Sequence, residues 1–400
     1  MSFPACKHRK KPIAPPEVLA WLASEPFRLF FFSGILWSII GVSLWPLFYA
    51  GKLSFYPGLT HARLMIEAFG GAFVVGFLGT AGPRMATAPK LTRMELLALF
   101  ALHTANGICH LKLLMRAADF CFIAMLLLLL GALLVRLVRF RQEAPPPPLL
   151  LALTGLFCGI AGTVMFQLPD LMAAPASYRL AGLLLYQGLL LPPVLGIGAF
   201  LFPRILGGSF GAAATAAERR LQLLRALAAA ALLVASFFIE VHGSVMTAYL
   251  LRAGTAAAYL LWEIRWRRHP GDPPRGSLAT GLFWALGTGL AGLAAAGFVY
   301  QYHVAPEHLL YIGGFGLLIL VVASRVLFGH SGDLAGFDRR SWMARLLVFL
   351  ALVAATTRAS ADLLPSITIS HHQYAAWTWG GTALLWLCWH ARRFVTRDDE

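Results

Sequence analysis

The chain has 400 residues, of which 58% are hydrophobic and only 13% are charged. A soluble domain carries about a quarter charged residues, so this composition excludes one and is typical of a polytopic helical membrane protein. The formal net charge of +15 collects between the apolar runs, so we attribute it to membrane topology. The lipid bilayer is therefore an expected partner, and nucleic acid is not.

Apolar runs of about 20 residues predict an all-α integral membrane protein with transmembrane helices. Most of the 33 Lys and Arg residues fall on one side of these runs, which predicts that both termini are cytoplasmic. We expect one transmembrane domain over residues 27–391, preceded by a basic segment at 1–26 and followed by a tail at 392–400. Twelve spans are predicted, at residues 27–49, 61–82, 94–114, 117–138, 148–168, 179–202, 221–240, 244–263, 278–300, 306–328, 342–363 and 371–391.

Span 2 carries the most informative polar residues. It begins at His61, and Glu67 lies about two turns deeper, where a carboxyl group is costly unless another group pairs with it. The alternative partners that we consider are Arg63, four residues earlier, or a histidine that donates to Glu67. A role for Glu67 in proton relay is a further alternative.

The inner ends of spans 2, 6 and 10 suggest an internal repeat. Arg84, Arg204 and Arg325 lie about 120 residues apart, which corresponds to a period of four spans. Aligning these arginines places three polar residues at one depth: Glu67, Gln187 and His308. Three four-helix pseudo-repeats are one interpretation, and the positive-inside rule alone is the other.

The histidines are the main candidates for a functional site, because imidazole is a common metal ligand and the usual axial ligand of b-type haem. His61 and His308 rank first, since glycine-rich stretches on their spans would let a flat macrocycle or a neighbouring helix approach. The competing interpretation is that histidine is simply well tolerated at a membrane interface. The histidines predicted at or near the outer ends of spans are His61, His110, His242, His303, His308, His371 and His372, while His103 is in mid-membrane and His330 is on the inner side.

The stretches that begin at Pro26, His61 and His308 together resemble the NnrS family, which comprises haem- and copper-binding polytopic proteins of the bacterial nitric oxide response. The entry to span 1, Pro26-Phe27-Arg28, is similar to the Pro-Phe-Arg entry of that family. Span 2 resembles its His-Ala-His-Glu-Met motif and the following Gly-Phe-Leu stretch through His61, Ala62, Met65, Phe69, Gly76, Phe77, Leu78, Thr80, Ala81 and Pro83. Span 10 resembles its His-Ala-Leu motif and the following Arg and Gly-His motif through His308, Leu309, Gly313, Gly316, Arg325, Leu327, Gly329, His330 and Gly332. Arg63 and Leu64 replace the second histidine and the glutamate of the family's span 2 motif.

This resemblance implies a protein of the bacterial inner membrane that binds haem b, and copper as a possible second metal, in response to nitric oxide. It implies haem ligation by His61 and His308, with His242, His303, His371 and His372 as candidates for a second metal or for gating access. Further candidate site residues are Glu67, His103, His110, Arg63, Arg84, Arg325 and His330. An electron donor, if one exists, is not identified.

Two other functions stay open at the level of the sequence. A secondary transporter or channel would use polar residues of spans 2, 6 and 8, such as Glu67, Gln187 and Arg252. A nitric oxide reductase similar to the haem–copper oxidases would be a haem-dependent enzyme. It would need a second histidine set around its other metal, for which only His242 is in a comparable position.

Overall fold

The computed structural model describes residues 17–207, 215–264, 275–333 and 341–396, together with Ile13 and Trp266. The basic N-terminal cluster, His8, His269 and residues 397–400 are outside these ranges, so the predictions made for them are outside them as well. The described residues form helices joined by short connections, and no β-strand occurs among them. The all-α prediction is therefore confirmed for this part of the chain.

Long helices occur at all twelve predicted positions within the described ranges, and we number them α1 to α12. A short helix at Val18–Leu22 precedes them. Their bounds are Pro26–Tyr49, Gly58–Met85, Arg93–Leu111, Met115–Phe140, Leu149–Phe166, Pro175–Ile205, Ala216–His242, Val245–Glu263, Ser277–Phe298, Val304–His330, Trp342–Ala361 and Thr368–Phe394.

Ten of these helices in the described chain are long and apolar enough to cross a membrane. The other two, α8 and α12, contain strongly polar residues within their length, such as Arg252 in α8 and His372 in α12. The length and apolar composition of its helices therefore make this a multi-pass helical membrane protein.

Local sequence explains where several helices begin. Thr92 and Glu95 form a reciprocal capping box at the start of α3, and Thr215 and Glu218 form another at the start of α7. Each box satisfies backbone N–H groups that the first helical turn leaves without partners. Proline at the first turn of α6, Pro175, has no N–H to satisfy and already has a helical φ.

Three helices contain a π-helical segment in their N-terminal halves, in addition to the segment Arg136–Phe140 that ends α4. The segments are Leu64–Gly70 in α2, Leu184–Gly188 in α6 and Leu309–Gly316 in α10. Such segments insert an extra residue into a helical turn and are frequent at functional sites. Glu67 and Gln187 lie within two of them, and His308 immediately precedes the third.

The helices α2, α6 and α10 meet in the interior of the bundle. Side chains from these helices, including Val74, Val194 and Phe315, line an apolar cavity of about 70 Å³. Around them α1 packs on α2 and α12, α9 packs on α10, and α11 packs on α12. The approach of α9 to α10 requires glycine, because a Cβ atom on Gly314 would lie 2.9 Å from the Cα of Gly289. This arrangement brings the first turns of α2 and α10 to the same end of the bundle.

Candidate functional site

His61 is held at the start of α2 by the backbone of α1. Its Nδ1 lies 2.9 Å from the carbonyl oxygen of Gly41, and its ring packs edge-on against Trp45. Because a carbonyl oxygen only accepts, Nδ1 must be the protonated nitrogen. The lone pair is then on Nε2, which is the arrangement found in most metal-ligating histidines.

His308 has the same arrangement on α10. Its Nδ1 donates to the carbonyl oxygen of Val304, one turn earlier, over 2.6 Å. Its Nε2 therefore also carries the lone pair, and Tyr311 lies beside the ring. Both histidines are half-buried, so neither ring is sealed within the protein core.

The two histidines lie within electrostatic range of each other. The guanidinium of Arg358, on α11, is within electrostatic range of both His61 and His308, and the first turn of α10 packs on α11. The first turns of α2 and α10 and the last turn of α11 therefore converge on one region.

An ionised carboxylate anchors this region from just beyond the end of α11. Asp362 accepts from Arg358 over 2.8 Å and lies 3.3 Å from Nε2 of His372. Burial raises the pKa of Asp362, but the hydrogen bond with His372 and the charge of Arg358 outweigh it and lower the pKa to about 2.

His372 has no ring nitrogen free to bind a metal, because both nitrogens have hydrogen-bond partners. Its Nδ1 lies 2.8 Å from the Tyr49 hydroxyl, its Nε2 faces Asp362, and its ring packs at 4.9 Å from Trp45. Since Trp45 also contacts His61, His372 helps to hold the surroundings of that ligand candidate.

The remaining outer histidines are dispersed. His371 lies 2.8 Å from the Ser360 hydroxyl, and His303 donates to the carbonyl oxygen of Tyr300 over 3.0 Å. His242 is exposed at the end of α7. Among the described residues, no contact brings His242 or His303 to His61 or His308.

His103 and His390 are buried among aromatic side chains. Nε2 of His103 is 3.1 Å from the hydroxyl of Ser33, and Nε2 of His390 is 2.9 Å from that of Ser324. In each ring Nδ1 is buried and has no hydrogen-bond partner among the described residues. These contacts are typical of neutral imidazoles in a core.

The inner-side candidates form a separate cluster. Arg84 contacts Nε2 of His330 over 3.0 Å and Glu25 over 2.7 Å, and the His330 ring packs 4.5 Å from Phe27. Arg325 is half-buried on the same helix as His330, and it lies within electrostatic range of Arg204. This cluster lies at the opposite end of the bundle from His61.

Glu67 is paired as the sequence predicted, and with both expected kinds of partner. Arg63 donates to its Oε1 over 2.6 Å, and Nε2 of His110 lies 2.9 Å from its Oε2. Asn106 and Asp119 complete this group, although the sequence argument did not single them out as site residues. The signal that could have identified Asp119 is a carboxylate within the apolar run of α4.

A second buried polar network joins α6, α7, α8 and α10. Arg252 is fully buried and donates to Gln187 over 2.6 Å and to Glu240 over 2.7 Å. Arg179 donates to the other oxygen of Glu240 over 2.6 Å and to Glu307 over 3.2 Å. Glu307 precedes His308 in the chain, so this network also holds the first turn of α10.

The fold and these sites define a multi-pass helical membrane protein with two ligand-type histidines at one end of its bundle. The family model described as NnrS protein matches residues 21–397, nearly the whole chain. The chain belongs to the NnrS family. Comparison with curated proteins finds no match.

Proposed function

We propose that this NnrS-family protein binds haem b between His61 and His308 and acts in the bacterial response to, or tolerance of, nitric oxide. The family match supports the type of protein. The iron of haem would supply a centre that binds nitric oxide or passes electrons, according to whether one axial position stays open.

The observation that carries this proposal is that the two histidines have the same hydrogen-bonding arrangement. Each Nδ1 donates to a backbone carbonyl, at 2.9 Å for His61 and 2.6 Å for His308. These bonds orient both rings and leave Nε2 available, as a metal ligand requires.

The neighbouring groups also fit a haem. Arg358 presents its guanidinium near both histidines, where the N–H groups that Asp362 does not use can donate to a carboxylate of the macrocycle. Trp45 and Tyr311 give apolar ring surface beside His61 and His308 respectively. Copper has less support, because both nitrogens of His372 are engaged, His303 donates to Tyr300, and no contact among the described residues joins His242 to this group.

We further propose twelve spans in the bacterial inner membrane, with both termini in the cytoplasm and three four-helix repeats. The π-helical segments of α2, α6 and α10 support the repeat, because each lies in the second helix of a predicted unit. The capping boxes at Thr92 and Thr215 fit polar surroundings at the predicted cytoplasmic starts of α3 and α7.

Neither alternative function receives comparable support. The polar residues that a transporter would use, Glu67, Gln187 and Arg252, are buried in hydrogen-bonded networks, and the cavity between α2, α6 and α10 is apolar. A nitric oxide reductase of the haem–copper type would require a second histidine set, and His242 is exposed without such neighbours among the described residues.

The proposal is tested by measuring haem per chain in protein purified from membranes. We expect wild type to contain haem b and His61→Ala and His308→Ala each to lose most of it. His303→Ala and His371→Ala are matched controls and should retain the haem. All variants are compared in preparations of equal monodispersity. Absence of haem from wild type, or equal losses in the controls, would contradict the assignment.

A further inference from the structure

A groove at the surface of the bundle lies where the end of α4 meets the starts of α5 and α7. Its volume of about 450 Å³ is typical of small-molecule sites, which measure ~300–1,000 Å³. The connection from α4 to α5 is bonded to the loop after α2 through the backbone of Gln142 and Ala86, so the groove is at the opposite end of the bundle from His61. We call it the α4–α5–α7 groove, and its lining includes Leu137, Pro145, Leu153, Arg219, Arg220 and Leu223.

The groove lies at the depth where the apolar runs of its helices end. Leu137 is in the segment that closes α4, Arg136–Phe140. On α7 the predicted apolar run begins at residue 221, so Arg219 and Arg220 lie just outside it and Leu223 lies just inside it. Basic pockets between transmembrane helices at this depth bind anionic lipid headgroups.

Arg219 and Arg220 give the groove its positive charge. Nη2 of Arg219 donates to the carbonyl oxygen of Pro145 over 2.8 Å, which holds the guanidinium against the connection before α5 and uses one of its five N–H groups. In the described parts of the chain no ion pair involves either arginine, and the adjacent Glu218 accepts from the backbone N–H of Thr215. Both guanidiniums can therefore donate to a phosphate, which matches their paired N–H groups.

The rest of the groove is apolar. Three consecutive prolines, residues 145–147, form one side of it, and leucines of the three helices form the remainder. Leu153 is half-buried and Leu223 is 41% exposed. An acyl chain in the groove gains dispersion contacts along this surface, whereas a free anion held by the arginines alone would not.

We propose that the α4–α5–α7 groove binds an anionic phospholipid, whose phosphate accepts from Arg219 and Arg220 and whose acyl chain lies along Leu153 and Leu223. The positive charge of the groove lies at headgroup depth and its apolar surface lies deeper, which is the order of these parts in a phospholipid. A choline headgroup would bring a further positive charge toward the two arginines, so an anionic headgroup is favoured. This site is independent of whether the protein binds haem.

The test is native mass spectrometry of the purified protein, titrated with phosphatidylglycerol or with phosphatidylcholine of the same acyl chains. Each arginine beside an anionic lipid contributes roughly fivefold to binding, so Arg219→Gln combined with Arg220→Gln should weaken phosphatidylglycerol binding about 30-fold. Arg93→Gln combined with Arg345→Gln is the matched control and should bind as wild type does. It removes the same charge from exposed positions at the starts of α3 and α11, outside the groove.

Three results would overturn the proposal. The first is equal affinity for the two lipids, and the second is equal weakening in the control. The third is displacement of phosphatidylglycerol by excess inorganic phosphate, because that would assign the arginines to a free anion instead of a lipid.

A second pair of variants tests the apolar part of the site. Leu223→Trp places a larger side chain in the groove, so it should weaken phosphatidylglycerol binding several-fold. Leu224→Trp is the control and should leave binding unchanged, because Leu224 does not line the groove. Both leucines are exposed, so both variants should fold. Binding that is unchanged in Leu223→Trp, or weakened equally in Leu224→Trp, would contradict the position assigned to the acyl chain.

Discussion

Replacing Arg252 with Met is predicted to be strongly destabilising, because it breaks a buried and electrically balanced network. Arg252 and Arg179 face Glu240 and Glu307, so two positive charges match two negative charges. The variant leaves one uncompensated carboxylate and also removes the donor to Gln187. Breaking one partner of a buried ion pair costs about 3–5 kcal/mol, and we expect a loss in this range.

A double variant distinguishes the effect of the unbalanced charge from the effect of losing the packing of the Arg252 side chain. Arg252→Met combined with Glu240→Gln restores equal numbers of charges, so it should be more stable than Arg252→Met alone. Coupling energies between contacting residues reach about 3 kcal/mol, which sets the largest recovery to expect. Arg204→Met is the control, because Arg204 is exposed and stacks on Phe200, and its effect should stay within about 0.5 kcal/mol.

The assay is equilibrium unfolding of the purified protein in mixed micelles with increasing SDS, followed by tryptophan fluorescence. The free energies of unfolding are compared at a common SDS fraction. The reasoning is refuted if Arg252→Met costs no more than the Arg204 control. It is also refuted if adding Glu240→Gln deepens the loss caused by Arg252→Met.

Two further predictions concern packing and pH. Gly107→Ala should destabilise the protein by about 1–3 kcal/mol in the same SDS assay, because the added Cβ would lie 2.4 Å from the Trp37 ring. Gly131→Ala is the control and should be neutral or stabilising, because there is open space around Gly131. Because the pKa of Asp362 is lowered from 3.8 to about 2 on folding, its contribution to stability should be complete above pH ~4 and be lost as the pH falls toward ~2. Comparing acid unfolding of wild type and Asp362→Asn isolates this contribution, and identical profiles would contradict it.

The positions of the helices could be predicted from the sequence because a bilayer imposes a length and an apolar character on each span. The predicted start of span 2 at His61 lies within α2, which begins at Gly58. Partners for Glu67 were predictable as kinds of residue, because Arg63 is one helical turn away and a carboxylate in a span requires compensation.

The identities of distant partners could not be predicted in the same way. His110 and Asp119 reach Glu67 and Arg63 from α3 and α4, and no local pattern specifies which faces of separate helices meet. Arg252 interrupts the apolar run of α8, yet that side chain is fully buried among partners from other helices. Charged residues within apolar runs therefore mark where such networks exist, while the packing decides which residues share one.

The central claim is that His61 and His308 are ligands of one haem. Electron paramagnetic resonance of the oxidised purified protein tests it most directly, because low-spin iron with two imidazole ligands gives a signal distinct from that of high-spin iron. We expect the low-spin signal in wild type and in His303→Ala, and its loss in both His61→Ala and His308→Ala. A wild-type protein without a haem signal, or a low-spin signal that persists in either ligand variant, would contradict the account.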